Sequence, residues 1–188
     1  MSWQSNRKRR LLADLAGTVL EIGAGRGANF GYLPSGVRWL GLEPHRRRRA
    51  SLIAAASRHG RGAEVLAAPA EAIPLPDASC DAVVSTIVLC SVRDQDAALA
   101  EVRRVLRPGG RFVFLEHVAA PRGTWTRRLQ RCWAPVSRRV DSGCDPARDT
   151  AAAIERSGFA WRELELFEQP FAFGLSVPFI AGRAFTAS

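Results

Sequence analysis

The chain has 188 residues, 47% of them apolar and 24% charged, which suits one soluble domain (1–188) with a sizeable core and argues against a second catalytic domain. Every apolar run breaks well before the ~20 residues of a membrane span, and the polar, basic stretch Met1 to Arg10 lacks the apolar core of a secretory leader, so a cytoplasmic setting is expected. The net charge of +9 raises nucleic acid as a partner, but Lys8 is the only lysine among 27 basic residues and no aromatic RNA-binding signature accompanies the arginine runs, so none is expected.

In chain order, Leu11, Leu12 and Leu15 predict a first helix over 6–16, with Asn6 as its cap and Gly17 as its stop. Strands follow at 18–23, 37–43, 63–68, 80–86 and 109–117, with helices at 26–33, 46–59, 94–106 and 124–139. Asp94 caps the helix 94–106, and Pro108-Gly109-Gly110 turns the chain into the next strand. Asp145 followed by Pro146 predicts a capped helix over 146–157, closed by Gly158. Strands 159–168 and 178–186 have no helix between them, so they form an antiparallel hairpin at the sheet edge, joined through Pro170 to Ser176. Such alternation predicts an α/β, doubly wound, seven-stranded sheet, mostly parallel, with helices on both faces.

The stretch Val19-Leu20-Glu21-Ile22-Gly23-Ala24-Gly25-Arg26-Gly27 is the densest functional signal, because glycines without Cβ atoms let a ligand touch the backbone. Gly23, Gly25 and Ala28 satisfy a dinucleotide fingerprint, which would take a pyrophosphate and a nicotinamide cofactor. Glu21 with Gly23, Gly25 and Gly27 also satisfies an acidic-x-Gly-x-Gly-x-Gly pattern, which suits an amino acid joined to adenosine. In that pattern the carboxylate orders the loop and holds an ammonium group directly or through water. Glu43, at the tip of the second strand, can accept from both ribose hydroxyls in either case.

The four cysteines, Cys80, Cys90, Cys132 and Cys144, show no C-x-x-C spacing and no histidine beside them, so no metal site is expected. Cys80 and Cys90 read as core thiols, whereas Cys144 lies in the polar loop Asp141-Ser142-Gly143-Cys144-Asp145, which is placed to border a cleft.

As a set, LEIGAGRGANF, GLEPH, APAEAIPLPDASCDAVVST and LAEVRRVLRPGGRFVF resemble the class I methyltransferases that use S-adenosylmethionine, from about Thr18 through Phe114. Downstream, TIVLCSV, EHVAAPRGTW and DSGC are similar to the alkyl-thiol S-methyltransferases, whose membrane-inserting N-terminus is not expected of Met1 to Arg10 and whose Pro-His-Ile segment is Pro178-Phe179-Ile180 here. The resemblance implies a Rossmann-like fold and transfer of a methyl group from S-adenosylmethionine to a small molecule, most simply a thiol, leaving S-adenosylhomocysteine. O- or C-methylation of a natural-product or quinone-like acceptor is the alternative, and a nicotinamide-dependent oxidoreductase the second. It further implies that Glu21, Gly23, Ala24, Gly25 and Gly27 line the methionine part, with Asn29 nearby. Glu43 holds the ribose, Pro44 packs near the adenine, Ala70 and Glu71 read its edge, and Thr86, Ile87 and Val88 lie under the methionine portion.

The electrophile brings its own activation, so the protein's task is to align the nucleophile and exclude water. A thiol has a few per cent thiolate at neutral pH and needs only a nearby cation or modest base. Glu116, His117 and Asp141 are the catalytic candidates, with Cys144 a more distant one. Trp125, Trp133, Phe171, Phe173 and Phe179 are candidates for an apolar pocket wall, and the segment 118–145 for its cover. Residues 1–10 are expected to be dispensable for cofactor binding, and the assembly to be a monomer or homodimer.

Overall fold

The computed structural model of the protein describes residues 3–62, 64–141, 143–170 and 176–186. Its strands are β1 (Thr18–Ile22), β2 (Arg38–Leu42), β3 (Glu64–Leu66), β4 (Cys80–Thr86), β5 (Leu106–His117), β6 (Ala160–Pro170) and β7 (Ser176–Phe185). They form one sheet in the order β3-β2-β1-β4-β5-β7-β6. The first five pair in parallel, while β7 runs antiparallel to both β5 and β6. This is the mostly parallel sheet with a C-terminal hairpin that the alternation predicts.

The helices are α1 (Trp3–Leu12), α2 (Arg46–Arg58), α3 (Gln95–Val105), α4 (Trp125–Val140) and α5 (Thr150–Arg156). Because successive strand side chains point to opposite faces, β1 feeds two cores. Leu20 and Ile22 join Leu40, Leu42, Val83, Phe112 and Phe114 against Leu99 and Val102 of α3 and Ile154 of α5. Val19 joins Trp39, Val84, Val113 and Leu115 on the other face, against Leu11 and Leu12 of α1 and Leu52 and Ala56 of α2. None of the described helices is long and apolar enough to cross a membrane.

Three expectations change. Helix α1 starts at Trp3, which places Asn6 inside it and not at its cap. The predicted helix 26–33 is a series of turns closing in one 3-10 turn, Phe30–Tyr32, because Gly25 and Gly27 hold φ of 58° and 82° and cannot propagate a right-handed helix. The last helix begins at Thr150, capped by Asp149, whose carboxylate accepts from the Ala152 N–H. Asp145 caps nothing further along because its carboxylate is engaged by Arg138 at 2.5 Å and by the Ala147 N–H at 3.0 Å. The cap at Asp94 stands as predicted, accepting from the Asp96 and Ala97 N–H groups. Pro108 to Gly110 lie within β5, after α3 ends at Val105.

The hairpin is tightest at Gly182, where a Cβ would come within 2.1 Å of the Glu163 carbonyl oxygen on β6. Gly182→Ala should therefore cost roughly 1–3 kcal/mol in urea denaturation, by overpacking. Gly36→Ala, with nothing within 4 Å of the new atom, should stay within about 0.5 kcal/mol of the parent.

Candidate active site

The glycine loop leaves β1 in a sequence of left-handed residues, Gly23, Gly25 and Gly27. A Cβ on Gly23 would sit 2.6 Å from Val88, and one on Gly27 would enter the Phe30 ring. At Gly25 the only neighbour among the described residues is the Gly23 carbonyl oxygen at 3.8 Å, so this glycine faces open space. The loop is pinned by the Ala24 N–H donating to Leu42 O at 3.0 Å and the Gly25 N–H donating to Glu43 Oε2 at 2.9 Å. Glu43 is 1% exposed and also accepts from the His45 N–H at 2.8 Å, so it ties the tip of β2 to the loop.

Beneath the loop, Glu21 is buried and accepts from Asn29 Nδ2 at 2.9 Å and Trp39 Nε1 at 3.0 Å. Burial pushes its carboxyl up to about 7, against the pull of those two hydrogen bonds and of the Lys8 charge. The Asn29 amide also donates to Thr86 Oγ1 at 3.0 Å, while its own Oδ1 is buried without a partner. An unpaired buried acceptor is costly unless a ligand supplies the donor. Ile87, the next residue after β4, holds φ of 55°, which a β-branched side chain rarely adopts. Its N–H donates to Leu115 O at 2.9 Å, fixing that strain of about 1–3 kcal/mol in place.

Elsewhere the expected cofactor residues are dispersed around this loop. Ala24 is buried with it, and Val88 packs against Gly23. Ala70 is buried, and Glu71 accepts from the Arg93 N–H at 2.6 Å, which docks the 70–71 segment on the entry to α3. Pro44 is exposed, its carbonyl accepting from Arg49 at 2.7 Å. Lys8 was not among the expected site residues, yet it is buried beside Glu21. Tyr32 donates to Ser5 Oγ at 3.0 Å, which joins α1 to the 3-10 turn that follows the glycine loop.

The catalytic candidates separate. Glu116 is fully buried and fully used: Ser85 Oγ donates to it at 2.6 Å, and so do the Val88 N–H at 3.0 Å and the Leu89 N–H at 3.2 Å. Burial raises it to about 7 against those bonds. It positions the turn after β4. His117 places Nε2 3.1 Å from Cys144 Sγ, and its Nδ1 is buried without a partner. Burial lowers the imidazole pKa, but the Cys144 contact and the Glu116 and Asp141 charges outweigh it, and the net shift is upward. Asp141 is exposed at the C-terminus of α4. The Cys144 thiol falls to about 5, chiefly through a hydrogen bond from Cys90 and, against burial, through His117; the Cys90 thiol is pushed up.

Cys90, His117 and Cys144 thus meet, although they are far apart in the chain. Their spacing hid the cluster, since Cys90 comes from the loop after β4, His117 from the end of β5 and Cys144 from the turn after α4. Trp125 and Trp133 are 65% and 57% exposed. Helix α4 packs instead through Gln130, Ala134 and Ser137, with the Gln130 amide bonded to Ala120 N and Val118 O. Phe179 lies edge-on to His117 at 6.1 Å and stacks on Phe167 at 5.6 Å; Phe171 and Phe173 lie outside the described residues.

Residues 20–114 match the family model described as a methyltransferase domain. The chain belongs to the methyltransferase family. The human thiol S-methyltransferase TMT1A is 38% identical over 191 residues, covering 96% of this chain and 78% of that protein. Human thiol S-methyltransferase TMT1B is 36% identical, covering 95% and 78%. The crystal structure of the [4+2]-cyclase SpnF superposes with a TM-score of 0.79 at 16% identity, over 100% of this chain and 83% of that one, and shows the shared fold alone. The methyltransferase family and the fold imply S-adenosylmethionine as methyl donor. The residues present fit it: the open side of Gly25, the unpartnered Asn29 Oδ1 and the buried acid Glu21 together suit a cationic amino acid.

The buried acid gives the methyltransferase a pH signature. Unfolded, Glu21 ionises near 4.5; folded, it keeps its proton to about 7. Stability therefore falls as pH rises from the first value to the second and levels off above it. Glu21→Gln should remove that part of the slope, on the order of 3 kcal/mol, in urea denaturation compared at about pH 5 and about pH 7.5. An unaltered slope would place the titration elsewhere.

Proposed function

We propose that this methyltransferase transfers the methyl group of S-adenosylmethionine to the sulfur of a small thiol. The similarity to two thiol S-methyltransferases over nearly the whole chain carries the reading, because it runs past the cofactor loop into β5, α4 and the 141–145 turn. Bound S-adenosylmethionine supplies a methyl group already activated on a sulfonium. Glu21 and Asn29 hold its ammonium group, with Asn29 Oδ1 gaining the donor it lacks. Glu43 accepts from the ribose hydroxyls. A carboxylate offers about four lone-pair positions, so the bonds from Gly25 and His45 leave room for them. Pro44, Ala70 and Glu71 border the adenine, and Thr86, Ile87 and Val88 support the methionine chain alongside Gly23, Ala24, Gly25 and Gly27.

The acceptor enters from the side of His117, with Asp141 and Glu116 behind it. Glu116 acts by holding Val88 and Leu89, and thereby fixes the angle at which the acceptor meets the methyl group. Alignment of this kind can account for about 7–11 kcal/mol of a barrier.

Calorimetry with S-adenosylhomocysteine and with NADH tests the donor; heat with NADH alone overturns the reading. Glu43→Ala should weaken S-adenosylhomocysteine binding by roughly tenfold to a hundredfold, the loss of charge-assisted hydrogen bonds. Incubation with labelled donor and a panel of thiols, phenols and amines tests the acceptor, with label expected on the thiols; label on phenols or amines alone overturns the sulfur assignment.

A further inference from the structure

Three side chains at the carboxyl end of the sheet offer donors that the methyl-donor site does not use. We propose that Cys90, His117 and Cys144 form a Cys2His site for a zinc ion, with the fourth coordination position left for the acceptor thiol. The occupant of that fourth position rests on the thiol reading above; the metal site does not.

The two Sγ atoms and the imidazole nitrogen all lie within 4.8 Å of one another. Tetrahedral zinc, with Zn–S of about 2.3 Å and Zn–N of about 2.0 Å, sets such donors roughly 3.5–3.8 Å apart, so the ion fits after changes in donor separation of up to about an ångström. Cys90 is 0% exposed and His117 and Cys144 are 8% each, which limits competition from bulk water for the three protein donors. Two sulfurs and one imidazole form a soft set that selects zinc over magnesium or calcium, and three protein ligands are what an open zinc site uses.

The donors stand on fixed backbone. The Asp145 N–H donates to Cys90 O at 2.9 Å, joining the two cysteine segments directly, and the Cys144 N–H donates to Asp141 O at 2.9 Å. Cys90 follows the turn that Glu116 holds, and His117 pairs with Phe179 across β5 and β7. A ligand bond at His117 Nε2 leaves the proton on Nδ1, the buried atom without a partner.

An acceptor thiol entering as fourth ligand releases its proton to solvent and stays bound as thiolate. Its sulfur then forms a bond to the methyl carbon as the donor's own carbon–sulfur bond breaks. That electron pair remains on the donor sulfur, which leaves as S-adenosylhomocysteine.

The test uses the full chain, reduced, stripped with a chelator and titrated with cobalt(II). One equivalent should produce the intense visible bands of tetrahedral cobalt and a sulfur-to-metal charge-transfer band, and zinc should abolish both. Cys144→Ser and His117→Ala should each weaken cobalt binding at least about tenfold, whereas Cys132→Ser, an exposed thiol, should leave it unchanged. Absence of the bands, or bands indifferent to Cys144→Ser, overturns the metal site. Should either variant misfold, the wild-type protein answers by alkylation: zinc should slow iodoacetamide labelling of Cys144 and spare the rate at Cys132, and equal rates with and without zinc overturn the site. Bands unmoved by a small thiol overturn the assignment of the fourth position alone. S-adenosylhomocysteine calorimetry on the same stripped protein keeps the outcomes apart, since donor binding without cobalt binding removes the metal and leaves the methyltransferase reading standing.

Discussion

A carboxylate sealed under a glycine loop constrains everything around it. Glu21 sits near the end of β1 with no solvent to hydrate it, so the fold has to bring donors to it from three directions. Trp39 arrives from the neighbouring strand, Asn29 from the turn after the glycines, and the Lys8 charge from the first helix. Each of those groups is then fixed in turn: Asn29 by Thr86, Trp39 by an edge-on contact with Phe30 at 4.6 Å, and α1 by Arg7, which pairs with Glu165 at 2.7 Å. A single buried acid thus couples the first helix, two strands and the turn after β4. It also leaves one acceptor, Asn29 Oδ1, with nothing to accept from.

The sheet was legible because its signals are local. Strands buried on both faces read as continuous apolar runs, and β4 and β5 stand out in VVST and RFVFL for that reason. The errors also have local causes. The helix expected at 26–33 rests on its position after a strand, although the left-handed backbone at Gly27 that serves the loop forbids a right-handed start there. Asp145-Pro146 has the form of a helix start, but Arg138 of α4 competes for that carboxylate and the helix begins four residues later, at Thr150. Tertiary pairing overrode the cap, and nothing adjacent in the chain announces an arginine seven residues back as the stronger partner.

The candidate site was legible in proportion to how compactly its chemistry is encoded. Glu21, the glycines and Glu43 fall within a short span, so spacing alone pointed to them. Lys8 was visible only as the single lysine of an arginine-rich chain, a compositional oddity whose meaning depends on α1 folding back over β1. Glu116 looked like an acid at a strand end, hence a candidate for proton transfer. The structure gives it three donors and makes it the fastener of the turn carrying Val88 and Leu89. Sequence shows that an acid is present; only the count of its partners shows whether it is free to react.

The division between donor and acceptor halves follows from the same physics. SpnF, a cyclase, superposes on nearly the whole chain, so neither the sheet nor its helices specify a reaction. What a common fold can conserve cheaply is the loop after β1, because one strand and one turn build it. The acceptor side has no such unit: Cys90 comes from the loop after β4, His117 from the end of β5 and Cys144 from the turn beyond α4. Those three points are neighbours only because a parallel sheet delivers all its carboxyl ends to one edge. Any chemistry that needs several side chains at once must therefore be drawn from separate segments there. Cys90, His117 and Cys144 are accordingly distant in sequence and adjacent in space.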